Sequence, residues 1–429
     1  MIKKFLVLFC VLFIFNAYYL KAEASGFFDE DDNIIIVIDP GHGGENLGTD
    51  TNPAFNEKDI NLITANALIE ELSKYDGVTI YTTRTDDTDL SLRQRAEYAK
   101  SVNADFLFSL HYNASENHTI YGAEVWIPLY APYHAPAYQF AYIQLQQMED
   151  MGLFIRGIKT REGNNAKDYY GIIRESSALE IPAVIIEHCH VDEERDSEFC
   201  SDEEMFKEFG RRDATAIATF LNLEGATENI PSHLSGLTLE STIEDTYMDK
   251  TIPNICHIAV ENADYENGYL TLKIKGDDYD TPLLYYDYSL DGGKTYSKRI
   301  GWPGSDALRG TNDESFSLEL EIPENTKPKI IFRAYNKFDI FKESNILTEF
   351  DTFSPLQENA SDRYDFLSIY DDLEEEMIDV DKKQNSSDSL YLFGAPFTFK
   401  RFLLLFGFSI FWVLILVSGF RIIWRVSKK

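Results

Sequence analysis

Between residues 33 and 223, short unbroken apolar runs alternate with stretches whose apolar residues recur every three or four positions. The run 34–38 (Ile-Ile-Ile-Val-Ile) reads as a central strand covered on both faces. Asn56 can cap a helix reaching to about 75, with Ile60, Ile63, Ala67 and Leu68 spaced for one buried stripe. Strands follow at 78–83 and 106–110, separated by a helix over 92–102. The pattern continues with a strand at 123–128, a helix over 136–151, strands at 169–173 and 183–186, and a closing amphipathic helix over 202–221. Strands alternating with helices predict an α/β domain with a mostly parallel sheet and helices on both faces.

The rhythm changes after 223. Residues 224–250 are rich in Thr, Ser, Glu and Gly and read as a linker. Over 251–353 short strands are separated by turn signals such as Asp291-Gly292-Gly293, which predicts a β-sandwich domain. The run Ile330 through Asn336 loosely resembles a late strand of fibronectin type III or immunoglobulin-like modules. Residues 354–399 are acidic and Ser/Asp-rich, as a solvated tether would be. The segment 402–420 carries no charge and is flanked by basic residues, so 400–424 predicts a C-terminal transmembrane helix. At the other end, Lys3 and Lys4 precede an apolar run over 5–15, and Ala22-Glu23-Ala24 fits a cleavage site. Residues 1–24 therefore read as a signal peptide. Together these predict a single-pass cell-membrane protein with its folded part extracytoplasmic and residues 425–429 as a cytoplasmic tail.

A formal charge of −33 over 429 residues argues against nucleic acid as a partner. Past the signal segment the cysteines are Cys189, Cys200 and Cys256, too few for a disulfide framework. A Cys189–Cys200 bridge and free buried thiols both stay open, and free thiols are the plainer reading.

Chemistry concentrates where strands end. Asp39-Pro40-Gly41-His42-Gly43-Gly44 follows the first strand, Ser109-Leu110-His111-Tyr112-Asn113 the third, and Glu187 closes the run 183–186. Glu57 opens a helix. Alone, each has a bland structural role: His42 in a turn, Glu57 on a helix dipole, His111 as a packed residue. A Glu closing a buried strand is costly unless solvated, paired or metal-linked. Open α/β sheets gather such loops at one edge. Two imidazoles and two carboxylates there are the inventory of an open zinc site with a general base, and hence of a hydrolase.

Residues 34–223 resemble the zinc-dependent N-acetylmuramoyl-L-alanine amidases. The resemblance rests on Ile38 through Gly44, Asn56-Glu57-Lys58-Asp59, Thr83-Arg84, Ser109 through Ala114 and Pro182 through Glu187. It implies His42, Glu57 and His111 as Zn2+ ligands and Glu187 as the catalytic carboxylate. It also implies peptidoglycan as substrate, cut between N-acetylmuramic acid and L-alanine. The competing expectation is a catalytically silent, membrane-anchored wall-binding scaffold with the same fold. After Glu187 the chain departs from the family with His188-Cys189-His190, which read as groove lining, a second metal site or plain packing. A protein regulator stays open as a partner of unknown identity, and 136–151 is a candidate occluding helix.

Overall fold

The computed structural model describes residues 27–28, 33–49 and 55–353, and the backbone of 391–392 and 395–396. The predicted signal peptide, most of the acidic tether and the transmembrane segment lie outside the described residues. Among the described residues no helix is long and apolar enough to cross a membrane.

The first region is a six-stranded sheet. Its strands are β1 (Ile34–Pro40), β2 (Val78–Thr82), β3 (Phe106–Asn113), β4 (Ala123–Trp126), β5 (Ile155–Lys159) and β6 (Ala183–His190). They lie in the order β2-β1-β3-β6-β4-β5. All neighbours run parallel except β4 against β6, so β4 and β5 oppose the rest. The helices are α1 (Glu57–Leu72), α2 (Leu92–Ser101), α3 (His134–Asp150), α4 (Gly171–Ala178) and α5 (Glu203–Phe220). Helices α1, α3 and α5 cover one face through Ile60, Leu68, Phe140, Phe209 and Phe220, all essentially inaccessible. Helices α2 and α4 close the other through Ala99, Ile172 and Ile173. Such unbroken burial explains why β1 and β3 are apolar on both faces.

Three expectations are revised. Residues 169–173, read as a strand, turn at Tyr170 into α4, because Ile172 and Ile173 face the core from one side of a helix. Strand β5 was not foreseen, since Arg156 and Gly157 interrupt its apolar residues. Helix α3, the candidate occluder, is a core helix with thirteen of its seventeen residues buried, and is not free to cover a cleft.

The second region has two antiparallel sheets. One is built from β7 (Ile255–Asp264), β8 (Tyr269–Asp277) and β11 (Ser315–Glu321). The other comprises β9 (Leu283–Ser289), β10 (Ile300–Gly301), β12 (Ile331–Asn336) and β13 (Phe341–Glu343). Ile258, Leu272 and Ile274 from the first share one core with Tyr286, Phe332 and Ala334 from the second.

Residues 224–250 do not hang free between the regions. Leu234 is buried in the α/β core, and the carbonyl of Thr246 accepts the Thr160 amide at 2.7 Å. The α/β and β-rich regions belong to one compact unit, and the short pair at 391–396 belongs to a second. In that second unit Tyr391–Leu392 pairs antiparallel with Ala395–Pro396.

Candidate metal centre

The carboxyl ends of β1 and β3 lie side by side, with Asp39 opposite Ser109. Beyond β1 the chain turns sharply, and His42 takes a positive φ of 62°. That conformation is costly for a residue with a side chain, and two buried arginines hold it. Arg84 donates to the carbonyls of Pro40, Gly41 and Lys58 at 2.9, 2.8 and 2.7 Å. Arg95 donates to the carbonyls of Pro40 and His42 at 2.8 and 2.7 Å, and to Asp39 Oδ1 at 2.7 Å. Asp39 also accepts from Thr83 and Ser109. Burial alone would raise the Asp39 carboxyl, but Arg95 and these hydrogen bonds hold it below its ordinary range. Lys58 completes the frame by donating to the carbonyl of Gly44.

Glu57 is the first residue of α1, and its side chain points back at this loop. Its Oε1 lies 3.1 Å from His42 Nε2 and 2.9 Å from His111 Nδ1. The amide of Tyr112 donates to the same oxygen, and the amide of Thr49 donates to Oε2. Gly41 permits the approach of His111: a Cβ there would lie 2.3 Å from the ring's Cε1. Gly48 does the same for Glu57, with Oε2 at 2.4 Å from the position of a Cβ. The His42 Nδ1 faces Asn46 Oδ1 at 3.0 Å, so that nitrogen donates and Nε2 is the ring atom turned toward Glu57.

Three of the four sequence-predicted residues thus converge. Donor atoms of His42, Glu57 and His111 lie within 4.8 Å of one another and can hold a metal ion. Two ligand atoms about 2.0 Å from one tetrahedral ion stand ~3.3 Å apart, and the observed 3.1 and 2.9 Å contacts are close to that. Electrostatics suit a cation too. Burial would lower the His42 imidazole, yet its hydrogen bond to the Glu57 carboxylate raises it overall. Glu57 is buried, but the two imidazoles push its carboxyl far below the usual range.

Glu187, the fourth, pairs in register with His111 across β3 and β6. It lines the same cleft, about 390 Å³, as His42, Glu57, His111, Tyr170 and Ile185. It does not end its strand: β6 runs on to His190. Its Oε2 is buried and has no hydrogen-bond partner among the described residues. Burial, with Glu57 and Glu124 adding negative charge nearby, raises its carboxyl well above the ordinary value. An orphaned buried carboxylate oxygen is rare in folded proteins, and Glu187 lines the cleft that holds the three candidate metal donors.

The residues after Glu187 pack inward. His188 bridges the carbonyl of His111 and the Asp213 carboxylate at 2.9 Å each. Cys189 meets Cys200, and His190 faces the carbonyl of Gly122. Groove lining and a second metal centre are therefore not what this stretch supplies. Sequence reasoning missed Arg95 and Asn46 altogether, and quoted Arg84 without assigning its role. Their signal is only an arginine or an amide in a polar stretch, and their importance depends on carbonyls that the fold brings to them.

Residues 36–219 match the N-acetylmuramoyl-L-alanine amidase family, Amidase_3. The chain is 30% identical over 189 residues to N-acetylmuramoyl-L-alanine amidase CwlM of Bacillus licheniformis, covering 44% of this chain and 69% of that one. The chain belongs to the N-acetylmuramoyl-L-alanine amidases. It is also 30% identical over 170 residues to "Probable cell wall amidase LytH" of Staphylococcus aureus, covering 39% of this chain and about half (52%) of that one. Among solved structures, an N-acetylmuramoyl-L-alanine amidase from Clostridium difficile 630 aligns with a TM-score of 0.40 at 29% identity, over 46% of this chain and 100% of that one. The match to the amidase family spans β1 to α5 and stops before the β-rich region.

Proposed function

We propose that this amidase hydrolyses the bond between N-acetylmuramic acid and L-alanine in bacterial peptidoglycan, with Zn2+ held by His42, Glu57 and His111 and Glu187 as the proton carrier. The observation that carries the reading is the convergence of those three donors in one cleft with the unpartnered buried oxygen of Glu187. A zinc ion held there by His42, Glu57 and His111 would supply a Lewis acid for the amide carbonyl and would acidify the attacking water. Glu187 takes the proton of the attacking water and returns it to the departing amine of L-alanine. Burial and the neighbouring Glu57 and Glu124 raise its carboxyl, which favours holding the proton between those two steps. Asn46 holds His42 in one tautomer, and Arg84 and Arg95 keep the loop that carries it from relaxing.

The setting is part of the same proposal. Residues 1–24 export the chain and 400–424 anchor it, leaving the catalytic region outside the membrane and a short basic tail in the cytoplasm. The enzyme then works on wall close to the membrane.

The test is digestion of purified peptidoglycan by the full-length protein, followed by mass spectrometry of the released peptides. A free N-terminal L-alanine is expected, with release abolished by chelation and restored by zinc. Glu187→Gln should lower kcat about 10²–10⁴-fold, the range for loss of a general acid–base group, while zinc content stays at one per chain. A zinc-replete wild-type protein that releases nothing, and is matched by Glu187→Gln, would establish the silent-scaffold reading instead.

A further inference from the structure

We propose that Cys189 and Cys200 are joined by a disulfide in the mature folded protein. Both side chains are buried, and their Sγ atoms lie 2.9 Å apart. A disulfide spans about 2.05 Å, so closing the bond asks for less than about 1 Å of travel. Thiols are weak donors and weak acceptors, and that attraction is a poor reason for two of them to sit so close in a core. Cys256 is no competitor: it lies in the β-rich region with its sulfur facing the carbonyl of Phe332.

The location gives the bond a use. Cys189 is two residues past Glu187 on β6, and Cys200 closes the short 3-10 turn Ser197–Cys200. Between them runs an acidic loop that braces the neighbouring connection. Asp192 accepts the amide of Ser115 at 2.9 Å, and Asp196 accepts the amides of Gly122 and His190 at 2.7 and 2.8 Å. Several carboxylates packed into one short loop repel one another, and a neutral covalent tie holds its ends whatever the charge between them. The tie pins the far end of β6, whose His188 also holds the carbonyl of His111.

Forming the bond removes two protons and two electrons from the thiols. The electrons pass to an external disulfide, of a small molecule or a thiol–disulfide oxidoreductase, which becomes a dithiol; a mixed disulfide is the intermediate. Burial keeps oxidants and reductants out of the folded protein, and it raises the Cys189 thiol well above its usual range, so little attacking thiolate exists there. The bond therefore forms while the chain folds and is then shielded. It is a structural tie, and nothing in it depends on zinc or on amidase activity.

The test begins with full-length protein, reduced and denatured, then folded in detergent with a glutathione redox buffer. The product is unfolded, alkylated without reductant and mapped by mass spectrometry. The expected map links the Cys189 and Cys200 peptides, about 2 Da lighter than the two free-thiol peptides together, with Cys256 alkylated. The oxidised sample should melt roughly 5 °C above protein folded in dithiothreitol, the order expected for closing a short loop in a domain of this size. In Cys200→Ser that difference should vanish and Cys189 should be alkylated. The proposal is overturned if protein with native circular dichroism yields both peptides alkylated, or if either cysteine is linked to Cys256 or Cys10. It is equally overturned if the oxidised and reduced melting points still differ in Cys200→Ser.

Discussion

Gly41 has no room for a side chain. A methyl group there would press on the His111 ring from 2.3 Å, and neither β1 nor β3 can shift without breaking its register. Gly41→Ala should destabilise the fold by about 1–3 kcal/mol, the usual cost of overpacking, and lower zinc stoichiometry, measured by urea unfolding and metal analysis side by side. The imidazoles also set a pH dependence. In the metal-free site the His42 pKa is raised, so a proton stays bound at pH values where an ordinary histidine has lost it. A metal must displace that proton. Zinc affinity should therefore fall as pH drops through the raised value, by roughly tenfold per unit for one displaced proton. Titration calorimetry at pH 6 and 8 checks the direction, and equal affinity at both would remove His42 from the ligand set.

At the scale of elements, α2 is a strut for the His42 loop. Ser91 and Gln94 form a capping box that fixes its start, and Arg95 one residue later reaches β1. Arg95→Ala would leave Asp39, 1% exposed, as an uncompensated buried charge. The expected loss is about 3–5 kcal/mol, read from denaturant unfolding at pH 7. The Asp39 carboxyl is lowered in the folded state, so its contribution is fully present above the unfolded carboxylate value. It is lost as pH falls through the depressed one. Helices α1 and α5 were legible because polar caps precede their apolar stripes; Asp202, for one, accepts the Met205 amide. Strand β5 was not, because what buries Arg156 and Gly157 comes from the far end of the chain.

Across the whole molecule, the β-rich region is docked on the catalytic sheet and is no swinging spacer. Arg156 on β5 donates to Glu124 at 2.8 Å on one side and to Asp339 at 2.7 Å on the other. Glu124 also accepts from Lys159 and from the side-chain Nδ2 of Asn113, and it lies opposite Glu187 in the β4–β6 pairing. Tyr285 donates to the carbonyl of Tyr121, and Lys337 and Ala307 crowd Gly157. The two regions should unfold in one calorimetric transition, and Arg156→Ala should lower its free energy by about 1.5–3 kcal/mol, the range for losing charged hydrogen bonds, because Lys159 stays on Glu124 and Arg299 on Asp339. Asp339 is half-buried, but Arg156, Lys159 and Arg299 bring it down to about 2. Its contribution is present above the unfolded carboxylate value near ~3.9. Acid unfolding followed from pH 5 to 2 should show that loss, and Asp339→Asn should flatten the curve.

Most of the strands and helices, the glycine turn after β1, and the candidacy of His42, Glu57, His111 and Glu187 could be read along the chain. Each follows from local rules: apolar periodicity, capping, backbone freedom, and the chemistry of imidazole and carboxylate. Folding alone decided which distant groups meet. It brought the oxygen of Glu57 to two imidazoles, set Arg84 and Arg95 on the carbonyls of the His42 loop, turned His188-Cys189-His190 into the core and bound the second region to β5. Periodicity records which residues are buried and not against what, so contacts between remote segments leave no mark in the local pattern.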